Sequence, residues 1–124
     1  MLPRLRNELG RDGLCPGMTT RRYEVLLPAR FNDGHEVVET CMRCLPDTVT
    51  EVVDQFGALT FDPHPANGVW TQEGMRYDDE LFRLALDVRD TEDSRHWIAT
   101  FKKELLQRFD QLEIYIVSYP VEVH

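Results

Sequence analysis

The feature that most constrains this sequence is a strict alternation of side chains between residues 81 and 88. Every second position carries a large apolar side chain: Phe82, Leu84, Leu86 and Val88. The positions between them carry Leu81, Arg83, Ala85 and Asp87. Because successive side chains of a strand point to opposite faces, this period of two predicts a long strand within residues 75–90. One face of that strand must be covered by a second layer of structure.

Three further segments have the composition of strands. Residues 21–29 place Tyr23, Val25 and Leu27 on one face and Glu24 and Leu26 on the other. Residues 58–62 form a short second strand, which the prolines of the 63–68 segment bring to an end because proline donates no ladder hydrogen bond. Residues 111–119 form the last strand, with Leu112, Ile114 and Ile116 on one face.

Two segments have helical spacing. The first follows Pro46 and ends at Gly57, which suits the left-handed conformation that closes a helix. The second begins after Asp90 or Thr91, either of which suits the N-cap. Its apolar stripe consists of Trp97, Ile98, Phe101, Leu105 and Phe109. The segment 35–45 is ambiguous between a short helix and an extended piece.

The predicted order is strand, helix, strand, strand, helix, strand. This order predicts an α+β ferredoxin-like βαββαβ sandwich, in which a four-stranded antiparallel sheet carries two helices on one face. The first and third strands lie in the middle of the sheet. The domain covers residues 21–124 and follows an irregular N-terminal lead, residues 1–20. The first 22 residues carry five arginines against Glu8 and Asp12, and this basic segment is either a solvated tail or an arm that contacts an acidic partner.

Several stretches resemble a family of small uncharacterised bacterial proteins. They are NDG, FGALT, NGVWTQEG, YDDE and KKELLQRFDQLEIYI, in that order. The shared pattern is a DG turn, an FG-x-x-T helix end, a G-x-W hairpin and an RF-x-Q segment before the last strand. The likeness covers residues 22–118 and departs from the pattern at Ala58, where a second glycine is usual. The resemblance implies the fold and assigns no activity to any residue.

Composition narrows the classes of partner. The formal net charge of -8 disfavours binding to a nucleic-acid backbone, which requires clustered Lys and Arg. No apolar run is long enough to span a bilayer, and the first residues lack the apolar core of a secretion signal. We therefore expect a cytoplasmic protein with no nucleic-acid or membrane partner. No Walker or dinucleotide glycine motif is present, so no cofactor is predicted.

The cysteines leave a weak metal hypothesis open. Cys41 and Cys44 are three residues apart, His35 lies nearby in sequence, and Cys15 stands alone. Zinc usually requires a fourth ligand, and no second cysteine pair exists. A redox pair is a second alternative, and two small buried thiols on one helix face are the preferred interpretation.

The sheet face away from the helices carries the most suggestive group of side chains. It is predicted to present Glu24, Leu26, Arg83, Ala85, Glu113, Tyr115, Val117 and Tyr119. This mixture is too apolar for a fully solvated surface. Glu24, Arg83 and Glu113 are candidates for a cross-strand charge cluster.

Two functions remain open for that face. The first is a noncatalytic ligand-binding or interaction module that forms a homodimer through this face. The alternative is a small cofactor-free enzyme in which Arg83 binds a small anionic ligand and Glu113 or Tyr115 orients it. A pocket that contains Arg83 and a tyrosine favours the enzyme, and a flat, dry face favours the module.

Overall fold

The computed structural model describes residues 19–124. Residues 1–18, which include Cys15 and nearly all of the predicted N-terminal lead, lie outside the described part. The elements in chain order are β1 Thr20–Pro28, α1 Val37–Thr40, α2 Cys44–Phe56, β2 Thr60–Gln72, β3 Met75–Arg89, α3 Glu92–Arg108 and β4 Ile116–Val121.

The four strands form one antiparallel sheet in the order β2-β3-β1-β4. The α+β class is therefore confirmed, and β1 and β3 occupy the middle of the sheet. The described residues contain three helices instead of the two that the sequence predicts. The additional helix is α1, a single turn within the segment that the sequence left ambiguous.

The alternation of β3 generates the core. Val25, Leu27 and Leu84 are fully buried, and the register places Leu84 opposite Val25. Residues of α2 and α3, including Val52 and Phe101, belong to the same buried cluster. The helices therefore cover the face of the sheet that carries the large apolar side chains.

Aromatic contacts join the two long helices. Trp97 of α3 stacks on Phe101 at a centroid distance of 4.8 Å and meets Phe56 of α2 edge-on at 4.9 Å. The predicted N-cap of α3 is also present, since Thr91 accepts a hydrogen bond from the Ser94 backbone N–H at 3.1 Å. Over residues 19–124, none of the helices has both the length and the apolar character that crossing a bilayer requires.

The second predicted strand is much longer than its sequence suggests. β2 continues past Pro63 and Pro65, and only its register with β3 shifts, between Asp62 and Ala66. The His64 N–H, which falls in this interruption, donates to Asp62 Oδ1 at 3.0 Å. The prolines thus produce an irregularity of the kind seen at β-bulges and do not end the strand.

The last strand begins later than predicted. Residues 111–115 lie before β4, and Leu112, predicted to face the core, is fully exposed. After α3 the chain turns through Asp110, which has a positive φ of 51°, and the Gln111 N–H donates to the Leu106 carbonyl at 2.9 Å. This exit from the helix delays pairing with β1, so the prediction of Leu112 as an inward residue is wrong.

Candidate functional site

The sheet face opposite the helices, called here the open face, is defined by the strand register. Directly opposed residues in neighbouring strands point to the same side of a sheet. Glu24 of β1 lies opposite Ala85 of β3, and Ala85 lies opposite Thr60 of β2. The described open face consists of Arg22, Glu24, Leu26, Thr60, Asp62, Arg83, Ala85, Asp87, Val117 and Tyr119.

A concavity of about 380 Å³ lies on this face. It is lined by Arg22, Glu24, Thr60, Phe61, Asp62, Pro63, Arg83, Ala85 and Asp87. Ala85 lies between Glu24 of β1 and Thr60 of β2 in the register and has a shorter side chain than either. This leaves a depression between β1 and β2. The volume falls within the range of about 300–1,000 Å³ that is usual for small-molecule pockets.

A bidentate ion pair forms one wall of the concavity. Arg22 donates through Nε to Asp87 Oδ1 at 2.7 Å and through a terminal nitrogen to Asp87 Oδ2 at 2.9 Å. The hydrogen bond and the negative charge of Asp87 raise the pKa of Arg22 above its usual value. This pair shapes the wall, since both Asp87 oxygens accept from Arg22 and fix its orientation, while Arg22 commits two of its five donors.

Arg83 makes fewer described hydrogen bonds than Arg22, one instead of two, and is the more exposed of the two arginines. Its described contact is with Glu24 Oε1 at 3.4 Å, a long distance for a charge-assisted hydrogen bond, and its side chain is 55% exposed. Tyr119 donates from its hydroxyl to Glu24 Oε2 at 3.0 Å. Glu24 is therefore held by a tyrosine and an arginine, while Arg83 keeps most of its five donors for another acceptor.

A second carboxylate flanks Arg83 on the β2 side. Asp62 lies opposite Arg83 in the register, and its Oδ1 accepts the His64 N–H. The concavity therefore combines a guanidinium group with carboxylates on two sides and the nearby Tyr119 hydroxyl. Such an arrangement can bind a small polar molecule that carries both an acceptor and a donor group.

The structure brings together some of the predicted site residues and separates others. Glu24 and Arg83 meet as expected. Glu113 does not join them, because its Oε1 lies 2.7 Å from Lys102 Nζ on α3. The Lys102 hydrogen bond, followed by the Ile114 backbone N–H, holds the pKa of Glu113 below its usual value.

Tyr115, the predicted alternative to Glu113 for orienting a ligand, lies just before β4. The residue is 63% exposed, and its carbonyl accepts the Leu26 N–H at 3.0 Å. Tyr119, four residues further on, supplies the phenol that contacts Glu24. The sequence prediction missed Arg22 and Asp87. Arg22 is two residues before Glu24 on β1, and Asp87 is four residues after Arg83 on β3, so the alternation of the strands places both on the open face. This signal was sufficient to find them.

The cysteine hypothesis also requires correction. Cys41 and Cys44 form a disulfide, so they are not two free thiols, and they do not share one helix. His35, the third residue of the weak metal alternative, places Nδ1 2.9 Å from Asp33 Oδ2. A sulfur bound in a disulfide is not the thiolate that coordinates a metal. Within residues 19–124, no three His, Cys, Asp or Glu side chains are grouped as a metal site requires.

The end of the β2–β3 hairpin forms a second exposed feature. It extends beyond the β1 register, which stops at the pair Pro28 and Leu81. Trp70 stacks on Tyr77 at a centroid distance of 4.4 Å and donates from its indole nitrogen to Asp79 at 2.6 Å. Trp70, Tyr77 and Asp79 are therefore partnered with one another within the hairpin.

Comparison with known proteins adds information on the fold. No family model matches the chain. No curated protein matches it either. A solved structure titled as a phage SAM lyase in the apo state is similar, with a TM-score of 0.56 and 18% sequence identity. The similarity covers 84% of this chain and 80% of that one. At this identity the likeness concerns the fold alone.

Proposed function

We propose that this chain is a noncatalytic small-molecule-binding module whose ligand occupies the open-face concavity around Arg83. The observation that carries the proposal is the position of Arg83, an exposed guanidinium with spare donors beside a depression of about 380 Å³. We also propose that the sheet and its two long helices belong to the ferredoxin-like arrangement. The proposed relationship to small bacterial proteins assigns no further activity.

The charges that line the concavity indicate the class of ligand. Two arginines are accompanied by the carboxylates of Glu24, Asp62 and Asp87. A ligand that is only anionic meets Arg83 favourably but is repelled by the carboxylates around it. A small zwitterion matches the arginine and the carboxylates alike, because its carboxylate faces Arg83 while its cationic group faces Asp62 or Glu24. We therefore narrow the predicted small anionic ligand to a molecule that also carries a positive charge.

Self-association through the open face remains part of the proposal. Leu26, Ala85 and Val117 supply apolar contacts on this face, and two copies that meet there would close the concavity over its ligand. Burying the Arg22–Asp87 pair carries a desolvation cost, which limits the area that can become dry. We propose a homodimer of modest affinity, located in the cytoplasm, without nucleic-acid or membrane partners.

The alternative is a small cofactor-free enzyme at the same site. The observation that favours it is the hydrogen bond from Tyr119 to Glu24, the carboxylate that contacts Arg83, since a phenol bonded to a carboxylate can take part in proton transfer. Tyr119 is not among the described residues that line the concavity, so the expected pocket with both Arg83 and a tyrosine is met only in part, and the enzyme stays the alternative. The similar structure is titled as a SAM lyase, and SAM carries an ammonium and a carboxylate together with a sulfonium. SAM is therefore a suitable probe both for binding and for turnover.

Calorimetry with a defined panel of probes tests the proposal. The panel contains free amino acids, SAM, acetate, inorganic phosphate and a diamine. We expect a zwitterion to bind, and Arg83→Ala to weaken that binding by roughly tenfold or more, the effect of losing a charge-assisted hydrogen bond. Arg76→Ala is the matched control, because Arg76 is also an exposed, ion-paired arginine (68% against 55% for Arg83) and pairs with Asp78 on the β2–β3 hairpin, away from the concavity.

Three results would count against the proposal. They are the absence of binding across the panel, equal binding by the wild type and Arg83→Ala, and tighter binding of phosphate than of any zwitterion. Release of product from SAM, abolished by Tyr119→Phe, would favour the enzyme. Light scattering that shows a monomer at all concentrations would remove the homodimer and leave the ligand site standing.

A further inference from the structure

The Cys41–Cys44 disulfide lies at the junction of two helices. Cys41 directly follows α1, Cys44 is the first residue of α2, and the bond closes the two-residue turn between them. Met42 in that turn is 79% exposed, Cys41 is half-buried and Cys44 is only 5% exposed. The disulfide is therefore at the surface and is accessible from the side of Cys41.

The surrounding backbone does not depend on this covalent bond. The Cys41 N–H donates to the Val37 carbonyl at 2.8 Å, and the Cys44 N–H donates to the Cys41 carbonyl at 3.2 Å. Val37 is fully buried and anchors α1 in the core. A bond that closes so short a loop also constrains the unfolded chain much less than one that closes a long loop. A structural crosslink is thus a poor explanation for this cysteine pair.

We propose that Cys41 and Cys44 form a thiol–disulfide exchange site whose reaction partner is a small thiol or a protein dithiol. This inference is independent of the open-face ligand. The difference in exposure assigns the roles, since an incoming thiolate reaches the sulfur of Cys41 and not that of Cys44.

The exchange balances in two steps. A partner thiolate attacks Cys41 Sγ, the S–S bond breaks and Cys44 leaves as a thiolate, giving a mixed disulfide at Cys41. A second partner thiolate attacks the partner sulfur of that mixed disulfide, which releases Cys41 as a thiolate and the partner as its own disulfide. Both protein thiolates then take protons from water, so two electrons pass from the partner to the cysteine pair.

The position of Cys44 favours it as the leaving group. Cys44 is the first residue of α2, where the helix dipole favours a thiolate. The backbone contributes little beyond the dipole, because the Cys44 and Asp47 N–H groups are bonded to carbonyls and Pro46 has no N–H. Asp47 in the same turn opposes this effect, but its carboxylate is bonded to Arg43 at 2.9 Å. The Cys44 sulfur also lies 3.7 Å from the Arg108 carbonyl, which can accept a hydrogen bond from the thiol after protonation.

The end of α3 keeps this region in place during the reaction. Thr48 Oγ1 donates to the Cys44 carbonyl at 2.7 Å and accepts from Arg108 at 2.8 Å. Arg108 also pairs with Glu51. Cys44 is therefore held in both redox states, while Cys41 is attached to a single helical turn.

The experiment uses the full chain with Cys15→Ser, so that the pair contributes the only thiols. Free thiols are counted in native buffer poised with reduced and oxidised glutathione, and separately with a reduced protein dithiol. We expect the count to change from none to two without unfolding, as followed by circular dichroism. Response to glutathione identifies a small thiol as a competent partner, and response to the protein dithiol alone identifies a protein partner.

Single variants test the assigned roles. Cys44→Ser leaves the accessible Cys41, which we expect to react with oxidised glutathione roughly tenfold faster than Cys44 does in Cys41→Ser. Equal rates in the two variants would overturn the assignment. A wild-type pair that stays oxidised until denaturant is added, or that never oxidises in any buffer, would overturn the exchange site itself.

Discussion

Leu26 and Leu27 provide a direct test of which sheet face is covered. They are neighbours on β1 with identical chemistry, but Leu27 is fully buried beneath the helices and Leu26 is half-buried on the open face opposite Arg83. Truncating each one to alanine removes the same atoms from opposite sides of one central strand. The difference between the two losses in unfolding free energy therefore reports which face of the sheet the helices cover, and does not depend on the residue type.

The expected magnitudes follow from burial. Leu27→Ala removes about three methylene-sized groups at about 0.8 kcal/mol each, or about 2.4 kcal/mol in transfer free energy. The cavity it leaves raises the cost toward the range of about 2–5 kcal/mol found for buried Leu→Ala changes. Leu26→Ala leaves no closed cavity and loses less buried area, so we expect about 1 kcal/mol.

Urea denaturation measures both changes. With a slope of about 1.5 kcal/mol per molar, Leu27→Ala lowers the midpoint by about 2 M and Leu26→Ala by less than about 1 M. Equal costs in dilute protein would refute the one-sided arrangement of helices. A cost of Leu26→Ala that grows with protein concentration would show that a second copy covers the open face, because association stabilises the folded state by mass action.

Two further predictions concern the start of α3. Thr91→Ala removes the acceptor of the Ser94 N–H and should lower the free energy of unfolding by about 1 kcal/mol, most of it restored by Thr91→Ser; an unchanged urea midpoint in the alanine variant would contradict the cap. Asp90 is bonded to Arg95 and Arg21, which hold its pKa below the usual value. Because the folded pKa is the lower one, this stabilisation is present above the ordinary pKa of about 3.9 and is lost as pH falls through the folded value. Asp90→Asn should therefore lower the melting temperature at pH 7 and flatten its acid-side decline, and an acid limb identical to the wild type would refute this role.

The sequence was most informative where alternation coincided with burial. The segment from Phe82 to Val88 has one apolar face, and a register shifted by one residue would expose that face to water, so its strand and its orientation follow from the pattern. The segment from Leu112 to Ile116 alternates too, but the position at which β4 begins depends on pairing with β1, where Ile116 lies opposite Val25. That pairing is long-range, and the local pattern contains no information about it.

The candidate site was only partly predictable for related reasons. Glu24 and Arg83 were found because the two-residue period of each strand places them on the open face, and because β1 and β3 were expected to be neighbours in the sheet. Thr60 and Asp62 were missed although they lie within the predicted strand 58–62. Their pairing with Ala85 and Arg83 is set by the long β2–β3 hairpin, and Pro63 and Pro65 obscured that hairpin because they indicated a strand end. The disulfide was missed since a spacing of three residues does not determine whether Cys41 and Cys44 are oxidised.

The core and the candidate site depend on the same strand register. A shift of one residue in β3 would move Leu84 to the open face and Arg83 into the core, so the burial that stabilises the sheet also fixes where Arg83 projects. Both central strands are hydrogen-bonded on two sides, which limits backbone adjustment beneath the concavity. The bidentate ion pair between Arg22 and Asp87 further restricts both of those side chains. Arg83, with one long contact to Glu24 and a side chain that is 55% exposed, is therefore the less constrained of the two arginines in this wall, and under our proposal it is the one that adjusts to a ligand.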